Sequence, residues 1–128
     1  DFLFIRVNGN PNYVGRCAPF YDFNEPVFFN DHIMRIRFDL NIVTLITLSF
    51  LLNSDYGKNQ ITRYRRTSAG QHTINQDGLS KILIFVPPLV LQNKFAEIVN
   101  KTEVMKTKLQ ESFNRLNDNF NALSQKSF

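Results

Sequence analysis

Leu89 to Phe128 reads LVLQNKFAEIVNKTEVMKTKLQESFNRLNDNFNALSQKSF, and this stretch decides how the chain is organised. It contains no Gly or Pro. Apolar or near-apolar residues recur at Phe95, Ile98, Thr102, Met105, Leu109, Phe113, Leu116, Phe120 and Leu123, with spacings of 3, 4, 3, 4, 4, 3, 4 and 3. That is a heptad seam with one stutter, where two fours are adjacent. Lys, Glu, Gln, Asn and Ser fill the positions between. At about 1.5 Å per residue such a helix would run to about 50 Å, longer than a small domain is wide. The spacing therefore predicts a long helix that packs its narrow stripe against a partner helix, a second copy or another domain of the same kind. The alternative is a helix folded back on its own domain.

Two other textures precede this tail. From Phe2 to Phe38, short β-rich runs alternate with turn residues: Phe2 to Val7, then Asn8-Gly9-Asn10-Pro11-Asn12, then Tyr13 to Phe20, which together signal a hairpin. His32 to Phe38 alternates, placing His32, Met34, Ile36 and Phe38 on a core face and Ile33, Arg35 and Arg37 on the other. Leu40 to Asn53 is predicted as a mostly buried helix capped by Asp39 or Asn41. A polar segment, Tyr56 to Gln76, leads to the apolar run Leu79 to Val86, expected as a strand stopped by Pro87-Pro88. The pattern is α+β: a mixed β-sheet with a buried helix, then a long C-terminal coiled-coil helix.

Composition bounds the chemistry. The 128 residues are 43% apolar and include 13 Phe and 4 Tyr but no Trp, which is enough for a core and excludes disorder along the whole chain. The single cysteine, Cys17, forms no internal disulfide and points to a reducing cytoplasm, as a buried inert thiol. Asp1-Phe2-Leu3-Phe4 lacks the basic start of a secretory signal. The longest uncharged stretch, Leu40 to Ser54, falls short of the roughly 20 apolar residues that span a bilayer, so no membrane partner is expected.

The net charge of +4 has an address. Between Tyr56 and Gln76 lie Lys58, Arg63, Arg65 and Arg66 and no acid, leaving the rest of the chain balanced at 11 basic against 11 acidic residues. With Ser68 these cations are candidates for phosphate contact, while Tyr64 could stack on a base or sugar and Gln71 carries the amide that adenine edges accept. A second polar cluster, Arg6, Asn8, Asn10, Asn12, Tyr13 and Arg16, sits at and beside the predicted hairpin. Its asparagines either serve a left-handed turn backbone or, with Tyr13 and Arg16, reach base edges. A solvated basic loop without a partner is the bland alternative.

Catalytic patterns fail. Asn10-Pro11-Asn12-Tyr13 is one residue from the Asn-Pro-Pro-Tyr signature of amino-methyltransferases, but no Gly-rich loop follows a strand to hold a methyl donor. His32 and His72 are not spaced with Cys, Asp or Glu as metal ligands are, so both read as structural. No P-loop, G-x-S-x-G or H-E-x-x-H occurs. The expectation is a non-catalytic protein with no metal and no cofactor.

Thr67-Ser68-Ala69-Gly70-Gln71-His72-Thr73-Ile74-Asn75, Leu79-Ser80-Lys81-Ile82, and Ile84-Phe85-Val86-Pro87-Pro88-Leu89 with Gln92 ahead of the heptad helix carry a likeness. So do Arg6, Asn8-Gly9, Val14-Gly15-Arg16 and Met34-Arg35-Ile36-Arg37 upstream. The chain resembles the specificity subunit of type I restriction-modification enzymes over nearly its whole length. The resemblance implies that residues 1–88 are the C-terminal portion of a target recognition domain and residues 89–128 a spacer or dimerisation helix. It also implies double-stranded DNA and the methylation and restriction subunits as partners, with one half of a bipartite target read. The chain is then expected to be a fragment or a half-subunit that pairs through its helix. Two other readings are a coiled-coil protein-interaction module with a basic loop, and a detached recognition domain of a single-chain restriction-methylation enzyme.

Overall fold

A computed structural model describes residues 1–21 and 23–126. The chain forms two compact units, Asp1–Gln92 and the residues from Asn93 on. In the first, β1 (Phe2–Ile5) lies between β3 (Cys17–Pro19) and β4 (Ile33–Ile36) in an antiparallel sheet. Phe2 sits opposite Pro19 and Ile36, and Phe4 opposite Cys17 and Met34. Strand alternation turns Phe2 and Phe4 inward, and both are fully buried. A second antiparallel sheet has the order β2 (Val7–Asn8), β6 (Gln71–Thr73), β5 (Arg66–Ser68).

The α+β class and the long C-terminal helix stand, while the single mixed sheet becomes two small antiparallel ones. The Phe2–Val7 run divides after Ile5. Arg6 and Val7 donate backbone N–H groups to His32 O, and β2 then joins the other sheet. The hairpin partner is Cys17–Pro19 only, because residues 9–15 are folded into bends and turns. His32 lies outside β4 and is exposed, so it does not share the core face of Met34, Ile36 and Phe38.

Three further expectations are corrected. The buried helix α1 spans Leu45–Asn53 and its N-cap is Thr44, whose hydroxyl accepts from Thr47 N at 3.3 Å. Asp39 and Asn41 belong instead to a preceding turn, where Asp39 Oδ1 accepts from Asn41 N and Asp39 O from the N–H groups of Ile42 and Val43. The polar segment is not a loop. Ser54 caps a second helix, α2 (Asp55–Tyr64), which is followed directly by the β5–β6 hairpin. Its turn, Ala69-Gly70, has positive φ at both residues (48° and 76°), as tight primed turns require. Gly70 thus serves the turn, and nothing lies within 4 Å of where its Cβ would be.

Leu79 to Val86 is not a strand. Gln76–Ser80 form a short helix, α3, and the chain then runs outside any sheet. Side chains stand in for ladder partners: Gln60 Oε1 accepts from Leu83 N at 2.8 Å, and Leu83 O accepts from Tyr56 Oη at 2.9 Å and from Gln60 Nε2. The alternation persists, with Ile82, Ile84 and Val86 packed inward and Leu83 and Phe85 exposed.

The core has two halves. Phe2, Val43, Leu48 and Leu52 form one, with the rings of Phe2 and Phe38 edge to face at 5.8 Å. Phe4, Val14, Ile61 and Ile74 form the other, and Cys17 and Ile82 touch both. Burial pushes the Cys17 thiol up to about 12, against a smaller downward pull from its hydrogen bond with Asn53. That removes it from nucleophilic chemistry near neutral pH.

The last helix, α4 (Leu89–Lys126), starts where Pro88 O accepts from the N–H groups of Leu91 and Gln92. Its heptad positions Phe95, Ile98, Met105, Leu109, Phe113, Leu116, Phe120 and Leu123 are all exposed. Thr102 returns its hydroxyl to Ile98 O. Among the described residues no helix is long and apolar enough to cross a membrane.

Candidate nucleic-acid interface

The turn segment 8–16 is built by its own side chains. Asn8 Oδ1 accepts from Asn10 N at 2.8 Å and Asn10 Oδ1 from Asn12 N at 3.0 Å, two successive Asx turns. None of the three asparagines has positive φ, so Asn8 and Asn10 serve the segment by side-chain turn closure and not by left-handed backbone. The segment ends in a sharp return at Gly15 (φ 91°), whose N–H bonds Ile5 O. A Cβ there would stand 2.5 Å from Ile61 Cδ1. Arg16 lies over the Tyr13 ring at 4.2 Å and donates from Nε to Asn12 O.

Helix α2 faces this segment. On it Lys58, Thr62 and Arg65 are spaced i, i+4 and i+7, which is one face. They line a cleft of about 480 Å³ together with Asn12, Arg16 and Asn53. Arg16, Lys58 and Arg65 line this cleft, and among the described residues no carboxylate does. The sequence keeps the two polar clusters about 50 residues apart; the fold brings Asn12 and Arg16 of one against Lys58 and Arg65 of the other. Asn53 clamps the neighbouring strand, exchanging hydrogen bonds with both Cys17 N and Cys17 O.

Arg63 and Arg66 are elsewhere. Arg63 is about 140° round the helix from Lys58 and borders a smaller depression with Arg66, Lys81 and Asp77, which Arg65 also lines. Lys81 pairs with Asp77 at 2.7 Å and holds that carboxyl below its usual range. Lys58 has its own acid, Asp55, at 3.9 Å. Both partners stand just outside the acid-free stretch.

On the β5–β6 hairpin, register places Ser68 opposite Gln71 and Arg66 opposite Thr73. By strand alternation Arg66, Ser68 and Gln71 share one face. Thr67 and Asn8 flank His72 on the other, where Thr67 Oγ1 and His72 Nδ1 are 2.9 Å apart. Tyr64 is half-buried against the second core cluster. Sequence reasoning set His72 aside, because only the hairpin register puts it between Asn8 and Thr67. Arg6 also acquires an unexpected setting: its Nε is buried without a hydrogen-bond partner among the described residues, beside a cavity of about 370 Å³ shared with Asn75, Gln76 and Asp77. Among the described residues no three of His, Cys, Asp and Glu converge as metal ligands would.

Residues 3–116 match the sequence model of the type I restriction modification DNA specificity domain, and the chain belongs to that family. It is similar to the type I restriction enzyme StySPI specificity subunit of Salmonella potsdam, 36% identical over 103 residues. That match covers 80% of this chain and 22% of the relative, so the chain spans about a fifth of the relative's length. No solved structure matches.

Proposed function

We propose that this chain reads DNA sequence as part of the specificity subunit of a type I restriction-modification system. Its partners are then double-stranded DNA and the methylation and restriction subunits, in the cytoplasm, and the chain itself catalyses nothing. The observation that carries this reading is the cleft, lined by no carboxylate among the described residues, where Arg16, stacked on Tyr13, and Lys58 converge beside Asn12 in a chain of this family. Lys58, Arg63 and Arg66, with Ser68, supply phosphate contacts. Asn8, Asn10, Asn12, Tyr13, Arg16, Tyr64 and Gln71 are the candidates for reading bases in one half of a bipartite site. Arg65, the remaining cation, turns its guanidinium to the Pro11 carbonyl.

The test uses the complete specificity subunit with its methylation partners. Duplex affinity should fall steeply with salt, and Lys58→Ala, Arg63→Ala and Arg66→Ala should each reduce the salt slope by about one unit for every sequence. Affinity that ignores salt would overturn the reading and favour a protein-interaction module.

The exposed stripe on α4 carries the second part of the proposal. Ile98, Met105, Leu109, Phe113, Leu116 and Phe120 pair with the helix of another recognition domain or of a second copy, and a helical spacer of this kind sets the number of unread base pairs between half-sites. The variant Leu109→Lys with Leu116→Lys should lower the molar mass in solution or the helicity. Unchanged values for both would remove the seam as an interface.

A further inference from the structure

We propose that Arg65 is a positioning residue that latches the segment carrying Asn12, Tyr13 and Arg16, and that it governs discrimination between sequences instead of binding a phosphate. The proposal rests on the DNA-reading role above. Arg65 is the C-cap of α2, its backbone fixed by the bond from its N–H to Ile61 O and by the start of β5 one residue on. From this anchor Nη1 donates to Pro11 O at 2.8 Å, a half-buried bond across 54 residues.

One helical turn earlier, Ile61 is packed against Gly15 so closely that no Cβ fits there. The two contacts lie at opposite ends of the same turn: Ile61 holds Gly15, where the segment returns to the sheet, and Arg65 holds Pro11, where it leaves. Between them are Asn12, Tyr13 and Val14, of which only Val14 is buried. With the apolar contacts of Gly15 and Val14 alone, residues 10–12 would be shaped by their own turn hydrogen bonds but tied to α2 only from their C-terminal side. With the Arg65 bond as well, the guanidinium of Arg16, stacked on Tyr13 and bonded to Asn12 O, is held in one orientation relative to α2. Base recognition depends on such fixed geometry, because a bidentate contact discriminates only while both of its bonds are in reach. Arg65 suits this task because its rigid, weakly hydrated guanidinium can aim one N–H at a half-buried carbonyl in a fixed direction, which a strongly hydrated, freely rotating ammonium does less well.

The experiment compares Arg65→Lys and Arg65→Met in the complete specificity subunit assembled with its methylation subunits, with Arg63→Met as control. Arg65→Lys keeps the charge and loses the fork. For both Arg65 variants the ratio of affinities for the methylated target and for single-base variants of it should fall about tenfold or more, with the salt slope within about half a unit of wild type. Arg63→Met should do the reverse. A drop of about one unit in slope with an unchanged ratio in Arg65→Met would make Arg65 a phosphate contact and overturn the proposal.

Amide hydrogen exchange supplies a readout without DNA. In Arg65→Lys, exchange should quicken at the amides of Asn12, Tyr13 and Val14 while α1 and the β5–β6 hairpin keep their protection; unchanged exchange in that segment would also overturn the latch. Should the wild-type assembly show neither salt-dependent binding nor sequence preference, the DNA-reading role fails, and the exchange result stands or falls separately.

Discussion

Gln92 offers the most direct test of how the first unit is held together. It is 1% exposed, in the first turn of α4, and all its polar atoms are engaged: Nε2 donates to Ile42 O at 2.9 Å and to Pro87 O at 2.7 Å, and Oε1 accepts from Thr44 N at 2.8 Å. The side chain thus ties the Pro-Pro approach to the turn before α1 and to the residue that caps it. Gln92→Leu keeps most of the volume and deprives two carbonyls and one N–H of their part-buried partner. At about 1 kcal/mol net for each bond, with a larger penalty for groups that stay dry and a return of about 1 kcal/mol from the added apolar burial, the loss comes to about 3 kcal/mol. For a unit of this size that is a fall of about 10–20 °C in melting temperature.

Gln92→Glu should be worse at neutral pH, because it sets a carboxylate against two carbonyl oxygens, and it should recover as the pH falls into the range where that carboxyl is protonated in both states. The assay is urea unfolding followed by tyrosine emission. All four tyrosines, Tyr13, Tyr21, Tyr56 and Tyr64, lie in the first unit, whereas far-ultraviolet dichroism would be dominated by α4. A loss under about 1 kcal/mol in Gln92→Leu, or a Glu variant as stable as wild type at pH 7, would refute the reasoning.

The other predictions concern backbone and thiol. Gly15→Ala should cost about 3 kcal/mol, from a side chain at φ 91° and from overpacking against Ile61; adding Ile61→Val should restore part of this, as chemical denaturation will show. Ala69→Gly should stabilise by about 0.5–1 kcal/mol, because Ala69 occupies φ 48° in an exposed turn; a lower melting temperature would contradict it. The Cys17 thiol, pushed up to about 12 by burial, should resist iodoacetamide at pH 8 in the native protein and react readily in urea. Since the folded protein keeps that proton when the unfolded chain has lost it, stability should decline as pH rises above the ordinary thiol value of 9.0 toward 12, and less so in Cys17→Ala.

What the sequence discloses depends on the range of the interaction responsible. The α4 helix is legible because its apolar period, interrupted by one stutter, recurs from Phe95 to Leu123 in a stretch without Gly or Pro, and the β1–β3 pairing because a β-rich run flanks each side of a turn. The α2 helix is not legible by the same means. Its apolar face amounts to Ile61 with Gly57 set close against α1, and its start signal, Ser54 followed by Asp55, falls between the end of one apolar run at Asn53 and a segment from Tyr56 that reads as polar loop. Leu79 to Val86 misleads for the opposite reason. It has the alternation and composition of a strand, yet its backbone partners are the side chains of Gln60 and Tyr56, and no local pattern marks a glutamine as a substitute for a neighbouring strand.

The same distinction runs through the candidate interface. Lys58, Arg63, Arg65 and Arg66 form one cluster along the chain and three settings in space. Lys58 faces the cleft with Arg16, Arg63 and Arg66 border another depression with Lys81, and Arg65, bonded to Pro11, stands between the two and lines both. Helical periodicity alone separates Lys58 from Arg63, since five residues turn the side chain by about 140°. A helix is about 10 Å across with its side chains, so cations on its two sides cannot crowd one phosphate; they must meet different ones or different strands. Counting cations along the sequence therefore overstates the charge at any one contact and understates the extent of the surface. The asparagines behave in the converse way. Asn8 and Asn10 are candidates for reading bases by residue type, but their carboxamide oxygens are committed to closing turns, so what they contribute first is the shape that presents Asn12, Tyr13 and Arg16.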